Sequence, residues 1–276
     1  MIKVDGVEIK QGQFPDHTLL MKFDPNSDEF SCDRGSIKVE WLYENDAELF
    51  ALICVKKHLD RHFTNPHAVL IMPYIPHARM DRVKNDEDVF TLKYFCEVIN
   101  SLKFDVVWVR DAHSNVSLAL LDNVIEEPIN AYVKHAILES KADALFFPDE
   151  GAMKRYSSEF NMPYAFGMKK RDWATGQILG LDIINAENVK DKNILIVDDI
   201  CSKGGTFFHS AKALKAAGAK SVSLYVTHLE GTVVLGEMAA SDGLVDHIYT
   251  TESIVPKRLF WPSSDPYWKE WITVMK

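Results

Sequence analysis

The sequence contains no apolar run approaching the roughly 18 residues that cross a bilayer, and Met1-Ile2-Lys3-Val4-Asp5 lacks the apolar stretch of a secretory leader. The expectation is a soluble, cytoplasmic protein with no membrane partner. Cysteine is scarce: Cys32, Cys54, Cys96 and Cys201 stand far apart, without metal-ligand spacing or a disulfide framework. They read as small buried apolar residues in a reducing compartment. Positive charge is in deficit as well. With 31 Lys and Arg against 40 Asp and Glu, the formal net charge of -9 opposes a general nucleic-acid or anionic-membrane surface. Any polyphosphate must therefore be held by a local pocket. Low-complexity segments and short-period repeats are absent, so the 276 residues suit two α/β lobes, each large enough for its own core.

What is present is an alternation of β-rich runs with helical patterns, the signature of βα units around mainly parallel sheets. Strands are expected at Leu19 to Phe23, Ile37 to Leu42, Ala68 to Met72, Val106 to Val109, Ala144 to Phe147, Tyr164 to Gly167, Ile194 to Val197, Ser221 to Val226 and His247 to Thr250. Helices are expected at Asp46 to Arg61, Leu92 to Ser101, Val133 to Ser140, Gly151 to Ser158, Thr206 to Ala217 and Val233 to Ala240. The run Val106-Val107-Trp108-Val109-Arg110-Asp111 echoes Ile194-Leu195-Ile196-Val197-Asp198-Asp199. That echo points to a duplicated lobe, with residues 1–130 forming the first and 131–276 the second. Trp261, Pro262, Pro266, Tyr267, Trp268 and Trp271 make the tail an aromatic strap packed on a lobe or partner, because exposing so many rings is costly.

The most informative segment is Asn193 to Thr206, a buried strand followed by two carboxylates and a glycine loop that opens a helix. Asp198 and Asp199 are expected to emerge at the strand's carboxyl end, where parallel α/β sheets bind ligands. Paired carboxylates there accept hydrogen bonds from vicinal ribose hydroxyls and help hold a hydrated Mg²⁺. Ser202, Lys203, Gly204, Gly205 and Thr206 turn backbone N–H groups around a phosphate, aided by the positive end of the helix. The structural alternative is an ordinary strand-to-helix turn with Thr206 as cap.

Four other segments carry possible chemistry. Met72 to Arg82 places Arg79, Asp81 and Arg82 after a strand and two prolines, suited either to nucleotide phosphates or to a solvated charge cluster. Asp111 and His113 follow another strand, where the pair serves Mg²⁺ or a triphosphate, or the imidazole is a satisfied core histidine. Asp149, Glu150 and Gly151 open a second helix and suit a second phosphate group. Lys169-Lys170-Arg171 reads either as a solvated run or as a mobile clamp on a transferring phosphoryl group.

Taken in order, these segments resemble the ribose-phosphate pyrophosphokinase (PRPP synthetase) family over roughly residues 12 to 255. The family's Gly-Arg-Phe-Ser-Asp-Gly-Glu is similar to Gly12 through Thr18, and its Pro-Tyr-x-x-Tyr-Ala-Arg-Gln-Asp-Arg to Pro73 through Arg82. Its Asp-Leu-His is similar to Asp111-Ala112-His113, its pyrophosphate loop to Asp149 through Arg155, and its flexible Lys-Arg-Arg to Lys169-Lys170-Arg171. Its Asp-Asp-x-x-Asp-Thr-Gly-Gly-Thr resembles Asp198 through Thr206.

The resemblance implies two type I phosphoribosyltransferase-like α/β lobes related by a pseudo-two-fold. It also implies transfer of the β,γ-diphosphate of Mg-ATP to the anomeric hydroxyl of ribose 5-phosphate, giving PRPP and AMP. Catalytic roles fall to Lys169, Arg171 and His113, and ATP contacts to Phe14, Asp16, Arg79, Asp81 and His113. Metal contacts fall to Asp111, His113, Asp149 and Asp198, with Mg²⁺ the implied ion. Ribose-phosphate contacts belong to Asp198, Asp199 and Ser202 through Thr206, and Asp149, Glu150 and Gly151 line the pyrophosphate loop. Phe14 and Asp16 reach a neighbouring subunit's adenine pocket in the family, which implies a homodimer or higher oligomer. Departures occur where the family's third acidic residue is Ser202, its threonine Lys203, its glutamate Thr18, its glutamine Met80 and one glycine Ala152. Altered charge at the 5-phosphate end leaves open ADP-ribose as acceptor, or a compensated loop that still binds ribose 5-phosphate. A phosphoribosyltransferase using PRPP needs neither Pro73 to Arg82 nor the cationic clamp, and a silent regulatory homologue is expected to lose the clamp, which is present.

Overall fold

The computed structural model describes residues 1–27, 30, 36–64, 66–171, 178–240, 243–254 and 270–276, with the backbone alone at 169–171, 178–180 and 239–240. Two compact units are present. The first holds Met1–Glu127 with Ser253 and Ile254, and the second runs from Pro128 to Glu252 and includes the described C-terminal residues. The division falls where the last strand of the first unit ends at Glu127.

In the first unit the strands are β1 (Ile2–Val4), β2 (Val7–Glu8), β3 (Gln11–Gln13), β4 (Leu19–Met21), β5 (Ser36–Trp41), β6 (His67–Ile71), β7 (Val106–Arg110) and β8 (Val124–Glu127). The helices are α1 (Ala47–His62), α2 (Thr91–Ser101) and α3 (Asn115–Leu120). The main sheet has the order β2-β1-β5-β6-β7-β8. Its β5 to β8 run parallel, and β1 pairs antiparallel with both β5 and β2. Leu92, Phe95, Cys96 and Ile99 recur at helical spacing on α2 and lock that face onto the core around Trp41, Leu70 and Val109. Burial there pushes the Cys96 thiol up to about 12 and keeps it protonated. The other two strands, β3 and β4, form a separate antiparallel hairpin.

The second unit contains α4 (Asn130–Ser140), β9 (Ala144–Phe147), α5 (Glu150–Tyr156), β10 (Tyr164–Arg171), β11 (Ile178–Ile184) and β12 (Asn193–Cys201). It continues through α6 (Gly205–Ala216), β13 (Ser221–Leu229), α7 (Glu237–Ala240), β14 (His247–Thr251) and β15 (Ile272–Met275). The sheet order is β11-β10-β9-β12-β13-β14-β15, parallel except for the β10–β11 pair. Ile194 and Ile196 of β12 join the core that includes Phe207 and Ala211 of α6. Leu195 and Val197 face the opposite core with Val133 of α4 and Tyr156 of α5. Both faces of this strand are covered, which is why its sequence is continuously apolar rather than alternating.

Several elements differ from the sequence expectation. β12 continues to Cys201, so Asp198 and Asp199 lie within the strand rather than beyond it, because β13 pairs with it as far as Leu229. β10 continues past Gly167 to Arg171 because β11, which was not expected, supplies antiparallel partners. The helix expected over Val233 to Ala240 is instead a 3-10 turn (Gly231–Leu235) and the short α7, interrupted at Gly236. Trp261, Pro262, Pro266, Tyr267, Trp268 and Cys32 lie outside the described residues. Trp271 is buried, its indole N–H donating to the Val245 carbonyl at 2.9 Å, and the residues after it add β15 to the sheet.

Candidate active site

In the second unit, the carboxyl ends of β9 and β12 bring three carboxylates into one electrostatic neighbourhood. Asp198 Oδ1 accepts from the Asp199 backbone N–H at 3.0 Å. Burial, and then the negative charges of Asp199 and Asp149, hold the Asp198 carboxyl well above the ordinary carboxylate range. Asp199 is also buried, and Arg155 of α5 approaches it with Nη1 3.6 Å from Oδ2. Arg155 further lies over the Tyr156 ring, 5.6 Å from its centroid. This guanidinium lies in the second phosphate-loop segment, but only the packing of α5 against β12 shows that it reaches Asp199.

Beyond β12 the chain turns through Ser202, Lys203 and Gly204 into α6. Gly204 has φ +77, a left-handed conformation that glycine adopts without steric cost, and it begins α6 with no side-chain cap. The first N–H groups of this 12-residue helix are therefore oriented outward without an intrahelical acceptor. Lys203 and Thr206 are exposed beside them, and Ser202 Oγ lies 3.0 Å from Thr232 Oγ1. Such a helix amino end offers N–H donors to an anion, and Thr206 is not the helix cap.

Asp149 Oδ1 accepts from the Ala152 N–H at 3.0 Å, so this carboxylate caps α5. A Cβ at Gly151 would approach the same oxygen to 3.1 Å. Glu150 forms an exposed pair with Lys154 at 2.7 Å, on the solvent side of the helix.

The first unit places Asp111 and His113 just after β7. Asp111 has φ 45 and is buried, a left-handed turn that an aspartate tolerates better than most residues. The turn carries the chain to Ala112, whose N–H donates to Glu126 Oε1 at 2.7 Å, while Arg110 pairs with Glu127. Asp81, expected to contact ATP, spends both oxygens on Arg82 at 2.6 and 2.8 Å. This fork, then Ser114 and the nearby His113, hold the buried Asp81 carboxyl below its usual range. Asp81 is thus committed to Arg82, while Arg79 is exposed.

Phe14 and Asp16 lie at the tip of the β3–β4 hairpin. Thr18 donates to Asp16 through its hydroxyl at 2.7 Å and its backbone N–H at 3.1 Å, which lowers the Asp16 carboxyl. The Phe14 ring is 50% exposed. Lys169, Lys170 and Arg171 pair through their backbone with Leu181, Gly180 and Ile178, with a register shift between Lys170 and Arg171, and their side chains lie outside the described residues. The expected metal residues divide between the units, Asp111 and His113 in one and Asp149 and Asp198 in the other. Among the described residues, no group of three His, Cys, Asp or Glu side chains could hold a metal ion by itself. That donor set suits Mg²⁺ carried by nucleotide phosphates, with one or two carboxylates assisting.

Residues 150–249 match the phosphoribosyl transferase domain family. The chain is 28% identical over 193 residues to a ribose-phosphate pyrophosphokinase of Saccharolobus solfataricus, covering 68% of this chain and 65% of that protein. It is 27% identical over 258 residues to a ribose-phosphate pyrophosphokinase of Thermococcus kodakarensis, covering 91% and 87% respectively. The crystal structure of phosphoribosylpyrophosphate synthetase from Mycobacterium smegmatis superposes with a TM-score of 0.74 at 18% identity, covering 97% of this chain and 85% of that one, and so shares the fold.

Proposed function

The chain belongs to the ribose-phosphate pyrophosphokinase family, and from that premise we propose that it transfers the β,γ-diphosphate of Mg-ATP to the anomeric hydroxyl of ribose 5-phosphate. The products are PRPP and AMP. The observation that carries the reading is the uncapped α6 amino end following Asp198 and Asp199, because a ribose phosphate needs hydroxyl acceptors and anion donors at that separation in the chain.

Each group has a part in this reaction. Asp198 and Asp199 accept from the ribose hydroxyls, and Arg155 compensates the negative charge of Asp199. The Ser202–Thr206 loop takes the 5-phosphate on backbone N–H groups. Arg79, Phe14 and Asp16 hold the nucleotide, His113 serves its polyphosphate, and Asp81 fixes Arg82 in the same segment as Arg79. Asp111 and His113 in the first unit and Asp149 and Asp198 in the second are the residues that would hold Mg²⁺, and the bound ion would supply charge compensation for the polyphosphate. Lys169 and Arg171 answer the negative charge on that group, which matters most in the transition state. Phosphoryl transfer asks for alignment and charge compensation more than for covalent help from the protein, and this set of residues supplies both.

Mass spectrometry of a reaction with Mg²⁺, ATP and ribose 5-phosphate is expected to find AMP and a 1-diphosphorylated pentose. ADP with a monophosphorylated product would refute the assignment. Running ADP-ribose in the same tube tests the second acceptor, for which the exposed Lys203 beside the loop is the supporting observation. In that case the diphosphate appears on the terminal ribose of ADP-ribose.

A further inference from the structure

The loop assigned above to the 5-phosphate is not a free turn. Each of four consecutive residues in or before it meets one residue of the stretch following β13. The Cys201 carbonyl accepts from the Glu230 N–H at 2.8 Å. Ser202 Oγ lies 3.0 Å from Thr232 Oγ1, which is 3.5 Å from Glu230 Oε2. A Cβ at Gly236 would fall 1.7 Å from the Lys203 carbonyl oxygen and 2.6 Å from its carbon, a distance no atom pair tolerates. A Cβ at Gly204 would meet Met238 Cβ and Cε at 3.0 Å. Residues 201, 202, 203 and 204 are thus seated in order against 230, 232, 236 and 238.

The stretch is itself anchored. Val233 and Met238 are buried in the same core as Phe207 and Ala211 of α6, so the seat moves with the helix whose amino end faces the ligand. Gly236 also explains why the helical pattern over Val233 to Ala240 breaks. Any larger residue there must displace either the loop or the seat, because the atom it meets is backbone and cannot rotate away.

We propose that Glu230–Met238 is the mould that sets the acceptor loop, and that Gly236 and Thr232 are positioning residues for acceptor affinity, acting through the Lys203 carbonyl and the Ser202 hydroxyl. The inference rests on the ribose-phosphate reading of that loop. Thr232 also decides which way the Ser202 proton points. When Thr232 donates to Glu230, Ser202 donates to Thr232, and its proton is withheld from a phosphate; when Thr232 donates to Ser202, that proton is available.

The test compares wild type with Gly236→Ala, Thr232→Val and Thr232→Ser. Gly236→Ala is expected to raise KM for ribose 5-phosphate by about tenfold or more and weaken its calorimetric binding equally, with KM for ATP changed less than about twofold. Thr232→Val is expected to show a smaller loss in the same direction, about two- to fivefold, with Thr232→Ser restoring it. Without any ligand, backbone amides from Gly204 to Phe208 are expected to exchange faster in Gly236→Ala and Thr232→Val than in wild type. A folded Gly236→Ala with unchanged acceptor affinity and unchanged exchange overturns the proposal. Should Gly236→Ala not fold, identical exchange and affinity in Thr232→Val and Thr232→Ser overturn it instead. If wild type forms AMP with neither acceptor, the functional reading fails separately, and the ligand-free exchange still decides whether the seat holds the loop.

Discussion

Asp198 shows how a single residue carries a cost that function requires. Its carboxyl titrates well above the ordinary value of 3.8 because burial and two neighbouring carboxylates disfavour its charge. Below the unfolded value both states are protonated and the residue costs nothing. As pH rises from there through the raised folded value, the folded state holds the proton more tightly than the unfolded chain, so stability falls until both are ionised. Asp198→Asn is therefore expected to raise the Tm of the ligand-free protein at pH 7 by ~2 °C or more, to flatten that pH slope, and to weaken ribose 5-phosphate binding. Differential scanning calorimetry between pH 4 and 8 checks it, and a lower Tm for the variant at pH 7 would contradict it. The paired carboxylates after a buried apolar run were legible as a candidate site from residue type and position alone. That Asp149 caps α5 and that Arg155 reaches Asp199 was not, since both depend on how α5 packs against β12.

At the scale of elements, the sheet edges were the least legible parts of the chain. β1, β2 and β3 are short and partly polar, and their strand state comes from their partners rather than from their own apolar pattern. β15 is similar, and Trp271 just before it is the anchor that seats it. Trp271→Ala removes a buried indole and its hydrogen bond, and is expected to destabilise the protein by about 3 kcal/mol or more. Urea denaturation measures this, and a change under ~1 kcal/mol would mean that β15 contributes little to the sheet. In β10, Gly167 has no space for a side chain, with the Pro148 carbonyl 2.7 Å and Leu181 Cδ1 2.8 Å from a built Cβ. This close approach lets β10 run on to Lys169 and Arg171 against β11. Lys169 and Arg171 thus lie on a strand backbone, where the sequence left open a solvated run or a mobile clamp.

For the whole molecule, the consequential feature is the β3–β4 hairpin, which forms its own two-stranded sheet and carries the half-exposed Phe14 ring at its tip. We propose that this ring, beside a carboxylate fixed by Thr18, enters a neighbouring copy's nucleotide pocket. Lys169→Ala alone is expected to lower turnover at least about a hundredfold with ATP affinity much less affected. Phe14→Ala alone is expected to weaken ATP binding. Mixing the two impaired chains is expected to recover part of the activity, because a shared site can then draw Phe14 from one copy and Lys169 from the other. No recovery on mixing, together with a fully active monomer in analytical ultracentrifugation, would refute the shared site.

The sequence by itself determined the βα alternation, the central strands of both units, and the order of the carboxylate, basic and glycine-loop segments proposed to bind phosphates. Those features are local: a continuous apolar run such as Ile194 to Val197 has few conformations open to it, and a glycine pair before a helix serves the same backbone geometry wherever it occurs. Only tertiary structure decided that β12 carries its carboxylates inside the strand, that Asp81 is held by Arg82, and that Gly236 lies against the loop of Ser202 to Gly204. Each of these depends on atoms far apart in the chain being brought to contact, and no residue's own preference encodes where its distant neighbour will be.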